Sequence, residues 1–95
     1  MSIADTIRDK LTARFAPSTL NVVDESAQHS GHMHAAAAGE THFRVTIVAD
    51  AFAGVSRVER QRQIYSVLTE ELAGPVHALA LKVLSPAEAA SRESP

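Results

Sequence analysis

Residues 42–48 read His-Phe-Arg-Val-Thr-Ile-Val, and polar and apolar side chains alternate strictly along this stretch. The alternation places Phe43, Val45 and Ile47 on one side of an extended strand and the polar residues on the other. Aromatic and β-branched residues also favour the strand conformation. The stretch therefore predicts a strand with one buried face, against which the remaining elements must pack.

Two elements are predicted upstream of this strand. The first is an amphipathic helix that Ser2 can cap and Pro17 ends, since apolar residues recur there at spacings of three and four. These residues are Ile3, Ala4, Ile7, Leu11 and Phe15. The second is a strand over residues 20–25, which contains Val22 and Val23.

Downstream, Phe52 and Gly54 indicate a turn, and a long helix is predicted over residues 57–72. Its apolar stripe is expected to consist of Val58, Ile64, Tyr65, Leu68 and Leu72, with Gln61 projecting near the centre of the stripe. A third strand is predicted over 76–83, and Pro86 begins a short tail helix.

The predicted order α-β-β-α-β-α indicates an α/β protein of the two-layer α+β type, with a three-stranded mixed sheet and helices on one face. The first two strands should form an antiparallel hairpin. A helical crossover between the second and third strands favours a parallel pair. We expect one domain over residues 1–95, with a core of about 3–88, a flexible His-rich loop over 27–40 and a frayed tail over 91–95.

Composition limits the classes of function. The chain has 95 residues, 45% of them hydrophobic, a net charge of −2 and no cysteine. These values indicate an ordinary globular domain, argue against a generally cationic nucleic-acid binder, and exclude disulfides and thiol catalysis. No apolar run is long enough to span a membrane and no signal-peptide pattern begins the chain, so we predict a cytoplasmic protein without membrane association.

The histidines are the first candidate site. His29, His32 and His34 fall within six residues of a predicted loop, and neutral imidazole is a common metal ligand. Their spacing matches no recognised zinc pattern, so a solvated loop without a metal is the simpler interpretation. His77 begins an apolar strand, where it is either an edge residue bonded to backbone or a rigidly held ligand.

The arginines are the second candidate site. Arg57, Arg60 and Arg62 surround Gln61 on the predicted helix, but Arg60 and Arg62 project to opposite edges of the apolar stripe. They are therefore more typical of side chains whose stems cover the core margin than of a compact basic patch. No catalytic triad order, phosphate-binding glycine loop or zinc-protease helix is present, so we predict a protein that is not an enzyme.

Several segments together resemble the BolA family. They are V-V-D-E-S at 22–26, E-T-H-F-R-V at 40–45, F-A-G at 52–54, R-Q-R at 60–62 and V-H-A-L-A-L at 76–81. The resemblance extends from about residue 3 to residue 88. It departs from the family pattern at Gln61, which replaces the histidine of R-H-R, and at Arg57, which replaces the second glycine of the KH loop G-x-x-G.

The resemblance implies a class II KH-like fold and two functional themes. In the first, the protein binds a monothiol glutaredoxin and shares a 2Fe–2S cluster with it, in iron–sulfur trafficking or iron and redox regulation. His77 would then be one ligand and His29 the second, with His32 and His34 as alternates. The partner would supply a cysteine and glutathione, and the isolated chain would carry no cofactor.

The second theme is a DNA-binding transcriptional regulator of morphogenesis or the stress response, which would use Arg44, Gly54, Arg57, Arg60 and Arg62. A protein-interaction module with incidental histidines is the third hypothesis, and a weak homodimer also stays open. The net charge of −2 counts against the DNA-binding hypothesis, whereas His77 together with a His-rich loop favours the adaptor.

Overall fold

A three-stranded sheet organises the structure, a computed structural model that describes residues 2–25 and 41–93. The strands are β1 (Thr19–Asp24), β2 (His42–Val48) and β3 (Ala78–Leu84), arranged in the order β1-β2-β3. β1 pairs with β2 in antiparallel fashion and β2 pairs with β3 in parallel, which confirms the predicted hairpin and crossover. The predicted α+β class with a mixed sheet is therefore correct.

In the described part of the chain, four helices accompany the sheet: α1 (Ile3–Phe15), α2 (Arg57–Val67), α3 (Thr69–Ala73) and α4 (Pro86–Glu93), with a 3₁₀ turn at Asp50–Phe52. Ser2 and Asp5 form a capping box at the start of α1. In the turn before α2, Gly54 has φ +75°, a conformation that glycine adopts without a side-chain penalty. Among the described residues, no helix is long and apolar enough to cross a membrane.

The prediction of one continuous helix over 57–72 is wrong, because the helix breaks at Leu68. This residue has φ −104° and ψ 23°, and it separates α2 from α3. The Thr69 hydroxyl donates to the backbone carbonyls of Ser66 (2.9 Å) and Tyr65 (3.2 Å). A hydroxyl that bonds to the preceding turn competes with the regular backbone ladder, which accounts for a break at this position.

The core lies between the sheet and the two helices α1 and α2. Apolar residues of the sheet, of these helices and of the segments that connect them form one buried cluster: Ile7, Leu11, Phe15, Val22, Phe43, Val45, Ile47, Ala49, Phe52, Ile64, Leu68 and Val76. Leu72 of the predicted stripe and Leu79 and Leu81 of β3 are only partly buried, although they pack against this cluster. The two on β3 belong to an edge strand, which has a neighbouring strand on one side only.

The predicted apolar stripe of α2 is also wrong in part. Val58 and Tyr65 are 61% and 41% exposed, and Gln61 is exposed as well. The buried face instead runs through Arg60 and Ile64 to Leu68. The sequence placed Arg60 at the edge of the stripe with its stem along the core margin, whereas the fold buries the side chain more fully and pairs its charge.

Arg60 connects three parts of the chain. Its Nε donates to the carbonyl of Val55 (2.8 Å), and one terminal nitrogen donates to the carbonyl of Val83 (3.0 Å). The guanidinium also bonds to the carboxylate of Glu88 at 2.6 and 3.4 Å. Since Glu88 accepts from the backbone N–H of Ser85 (2.7 Å), this network fixes α4 to the end of β3.

We expect the Arg60–Glu88 pair to make the free energy of unfolding depend on pH in the acid range. The Arg60 guanidinium, together with the Ser85 N–H, lowers the pKa of Glu88 from 4.5 to about 2. A carboxyl group whose pKa falls on folding stabilises the native state above its unfolded pKa. That contribution should therefore be complete above pH 4.5 and lost as the pH falls towards about 2.

Thermal unfolding of wild type and Glu88→Gln between pH 2 and pH 7 measures this contribution. The wild type should be the more stable at neutral pH, and the difference should vanish in strong acid. Asp9→Asn is the control, because Asp9 makes no ion pair within the described part of the chain, and it should retain the acid-dependent loss. A constant difference between wild type and Glu88→Gln at every pH would contradict the expectation.

Candidate functional site

His77 lies immediately before β3, one residue outside the strand in which the sequence places it. Its backbone N–H donates to the carbonyl of Thr41 (2.7 Å), which also accepts from the N–H of Ala78 (3.2 Å). The preceding residue, Val76, is buried and donates its N–H to the carbonyl of Glu71 (3.0 Å). The backbone of His77 is therefore anchored on both sides.

His77 is exposed at the surface. Within the described residues its imidazole makes no hydrogen bond. An anchored backbone with an accessible ring is the arrangement that a ligand for a partner's metal requires, because the position is fixed and the nitrogen is not occupied by the protein itself.

His42 is a neighbour that sequence reasoning missed. Its ring lies 6.4 Å from that of His77, between centroids, with 21° between the ring planes. The hydroxyl of Thr41 lies 2.8 Å from Nδ1 of His42 and holds the ring in place. The two histidines are close because the parallel register of β2 and β3 pairs His42 with Ala78. The sequence indicates this proximity only after the two strands have been aligned with each other.

The loop candidates His29, His32 and His34 lie outside the described residues, so their assignment stays a prediction. The residues on either side of that segment are described, and both lie beside the histidine pair. Glu25 donates its backbone N–H to the carbonyl of His42 (2.7 Å), and Thr41 accepts from His77. The chain thus enters and leaves the segment next to His42 and His77.

A shallow depression of about 220 Å³ lies on the sheet at His42. It is lined by Glu25, His42, Phe43, Arg44, Ala78, Leu79 and Ala80. His42 and Arg44 occupy the face of β2 opposite to the buried Phe43 and Val45, which is the face that α1 and α2 leave uncovered. The depression therefore gives a partner access to this part of the sheet.

The structure does not gather the candidate arginines into one patch. Arg44 lies on the open sheet face, whereas Arg57 and Arg62 lie on α2. Arg62 is near Glu59 (3.7 Å), and the Arg60 side chain is only 10% exposed, with its guanidinium occupied by protein partners. Arg60 therefore cannot present its charge to a nucleic acid, and we leave it out of any such interface.

A second groove, of about 260 Å³, runs between α2 and the edge of β3. Arg57, Arg60, Gln61 and Lys82 line it together with apolar residues of β3, although the guanidinium of Arg60 is bonded to Glu88 and to backbone carbonyls. Arg57 and Lys82 make no ion pair within the described residues, and Gly54 belongs to the turn that precedes α2. This groove is the most cationic of the described depressions.

Whether the surface at His77 fits a metal cluster depends on the ligand atoms that the residues there offer. His77 offers an accessible imidazole, and two imidazoles can replace two thiolates on one iron of a 2Fe–2S cluster. Among the described residues, no three His, Asp or Glu side chains form a group that could hold a metal ion. Further ligands for a cluster at His77 would come from residues 26–40 or from another protein.

Comparison with known proteins agrees with this architecture. The model of a family described as "BolA-like protein" matches residues 11–88. The chain is 48% identical to the DNA-binding transcriptional regulator BolA of Escherichia coli K12 over 81 residues, which cover 85% of this chain and 73% of that protein.

Two further relatives extend the comparison. BolA-like protein 1 of Mus musculus is 44% identical over 89 residues, which cover 94% of this chain and 61% of the mouse protein, so the chain spans somewhat less than two thirds of that relative. The solved BolA domain of SufE1 from Arabidopsis thaliana superposes with a TM-score of 0.81 at 45% identity, covering 93% of this chain and 96% of that domain. By sequence and by fold, the chain belongs to the BolA-like protein family.

Proposed function

We propose that this protein is a non-enzymatic adaptor that binds a monothiol glutaredoxin and shares a 2Fe–2S cluster with it, in iron–sulfur trafficking or iron and redox regulation. The observation that carries the proposal is His77, whose exposed imidazole projects from a backbone held at Thr41 and Val76. We assign this function to the cytoplasm, as the sequence predicts.

The proposed ligand set rests on the resemblance to the BolA family and on the donor atoms that the chain offers. A chain without cysteine cannot hold a 2Fe–2S cluster by thiolates, so its contribution must come from imidazole nitrogens. His77 supplies one, and His29 supplies the second, with His32 and His34 as alternates. The glutaredoxin supplies a cysteine thiolate and a bound glutathione. The cluster is the cargo of this complex, and it gives the complex its visible absorption.

The two kinds of histidine have different parts in this proposal. His77 is fixed by the sheet, so it holds one position on the iron without a cost in backbone entropy. The sequence predicts that His29 lies in a flexible loop, and such a ligand would lose backbone entropy when the cluster binds. A pair with one fixed and one adjustable ligand suits a cluster that is received and then passed on.

Mixing the two proteins tests the proposal. A monothiol glutaredoxin loaded with a cluster and glutathione is titrated with this protein, and visible absorption and circular dichroism are recorded together with the mass of the complex. A new spectrum at one-to-one stoichiometry, with a heterodimer in place of the glutaredoxin homodimer, is expected. An unchanged spectrum and no heterodimer would refute the adaptor function.

DNA binding is the second candidate function, and the groove of Arg57, Gln61 and Lys82 favours it. The two cations there make no ion pair within the described residues, and a relative of this chain is named a DNA-binding transcriptional regulator. Arg44 and Arg62 lie outside the groove, and Gly54 contributes only the turn that positions Arg57. We therefore propose Arg57 and Lys82 as the phosphate contacts.

We expect any such DNA binding to be weak and to weaken further as the salt concentration rises. Two phosphate contacts release about two counterions, so the logarithm of the binding constant should fall with the logarithm of salt concentration with a slope of about −2. Arg57→Gln should reduce that slope by about 1. Fluorescence anisotropy with a short duplex over a range of salt concentrations measures both quantities.

Arg8→Gln is the matched control for charge. It removes one positive charge from α1, where Arg8 pairs with Asp5, and it should leave the slope near the wild-type value. Nanomolar affinity at physiological salt with a strong sequence preference would contradict the expectation and place DNA binding ahead of the adaptor function.

A further inference from the structure

Arg44 is held in an unusual way for an exposed arginine. Its Nε donates to Oε2 of Glu25 at 2.9 Å, and the Glu25 side chain is only 14% exposed while that of Arg44 is 60% exposed. A largely buried carboxylate thus anchors one edge of the guanidinium. The two terminal nitrogens of Arg44 make no hydrogen bond within the described residues, so the opposite edge of the fork points away from its anchor with its donors unused.

Arg44 also lies on the same surface as His42. It lies two residues after His42 on the same face of β2, which separates their Cα atoms by about 6.6 Å along a strand. Both residues line the 220 Å³ depression, together with Ala78 and Ala80 of β3. The alanine side chains are small, so a ligand can approach the sheet closely between the histidine pair and the guanidinium.

The terminal nitrogens of Arg44 are suited to bind a carboxylate. Two parallel N–H groups on a planar cation match the two oxygens of a carboxylate, and charge-assisted bonds of this kind are about twice as strong as neutral ones. The partner's glutathione carries two carboxylates, and in the adaptor complex its thiolate would be bound to the same cluster as His77. A carboxylate would therefore reach the sheet close to Arg44.

We propose that Arg44 binds a carboxylate of the glutathione that the glutaredoxin carries with the cluster, and that Glu25 orients Arg44 for this contact. The inference rests on the proposed adaptor function and adds a recognition site to it. Arg44 would make the complex selective for a cluster that arrives with glutathione over one that arrives with an uncharged thiol.

The test is a two-by-two comparison of protein and thiol. Wild type and Arg44→Gln are titrated into glutaredoxin loaded with a cluster and either glutathione or glutathione diethyl ester, in which both carboxylates are masked. The loaded glutaredoxin samples are matched for cluster content, and heterodimer dissociation constants are measured by visible circular dichroism. With glutathione, we expect Arg44→Gln to bind about tenfold more weakly than wild type, the effect of losing one charge-assisted pair at a partly exposed site.

The ester should weaken the wild type by a similar factor and should not weaken Arg44→Gln further, since both changes remove the same contact. Arg44→Lys keeps the charge but loses the planar fork, and it should recover only part of the affinity. Arg8→Gln is the control for net charge, because Arg8 lies on α1, away from the depression, and it should bind like the wild type with both thiols.

Three results would overturn the inference. Equal affinity of wild type and Arg44→Gln for the glutathione-loaded partner would show that Arg44 makes no contact. Weaker binding of Arg44→Gln, together with an effect of the ester that is the same in both proteins, would mean that Arg44 binds an acidic side chain of the glutaredoxin and not glutathione. If the wild type forms no complex with either sample, the adaptor function itself fails, and the carboxylate site with it.

Discussion

Replacing His77 with alanine is expected to abolish the visible spectrum of the cluster-bridged heterodimer. The variant removes an imidazole whose backbone is bonded to Thr41 and preceded by the buried Val76, and no other described side chain occupies its position. His42 is the nearest histidine, but Thr41 lies 2.8 Å from its Nδ1 and holds the ring in its own place. A ligand that the sheet fixes cannot be replaced by a neighbour that the sheet fixes elsewhere.

The loop histidines should respond differently. His29→Ala should weaken the complex without abolishing it, because His32 and His34 follow within five residues and can substitute. The triple variant lacking all three should lose the spectrum. Circular dichroism in the far ultraviolet provides the control for folding, and since His77 is exposed, His77→Ala should remain folded.

The opposite order of effects would refute the argument. If His77→Ala kept the cluster while His29→Ala lost it, the fixed position of His77 would have no part in ligation. The comparison needs no absolute affinity, because all variants are titrated against one preparation of the loaded glutaredoxin.

Periodicity predicted the sheet well because the pattern of β2 is set by burial on one face only. Phe43, Val45 and Ile47 are buried as expected, and a shift by one residue would have exposed all of them. The α2 helix was harder to predict, since its buried face includes Arg60. The carbonyls of Val55 and Val83 and the carboxylate of Glu88 make that burial favourable. Val83 and Glu88 lie 23 and 28 residues from Arg60 in other elements, so the sequence near the helix does not indicate them.

The candidate site was predictable only as separate residues. His77 could be identified from a motif, but its proximity to His42 depends on the parallel register of β2 and β3. The anchoring of Arg44 by Glu25 depends on the hairpin, which brings residues 19 positions apart within 2.9 Å. Sequence spacing gives no measure of such contacts, because they are created by strand pairing.

Truncation of Leu68 to alanine should produce the largest loss of stability that we predict for a single core residue. Leu68 is 1% exposed and belongs to the cluster that joins the sheet to α1 and α2. Removing a buried leucine side chain costs the transfer free energy of its methyl and methylene groups and leaves a cavity, together about 2–5 kcal/mol. The position of Leu68 at the break between α2 and α3 adds a reason for a full effect, because the Thr69 hydroxyl bonds that accompany the break should resist a straightening of the helix that could refill the space.

Urea titration measures the expected loss as a lower midpoint with an unchanged slope, which reports a change in stability and not in the surface exposed on unfolding. Val58→Ala is the matched control on α2, because Val58 is 61% exposed, and its effect should stay within about 0.5 kcal/mol. The two variants together also test the corrected orientation of the helix. A loss below about 1 kcal/mol for Leu68→Ala would contradict its place in the core. A larger loss for Val58→Ala than for Leu68→Ala would mean that α2 presents to the sheet the face containing Val58 and Tyr65.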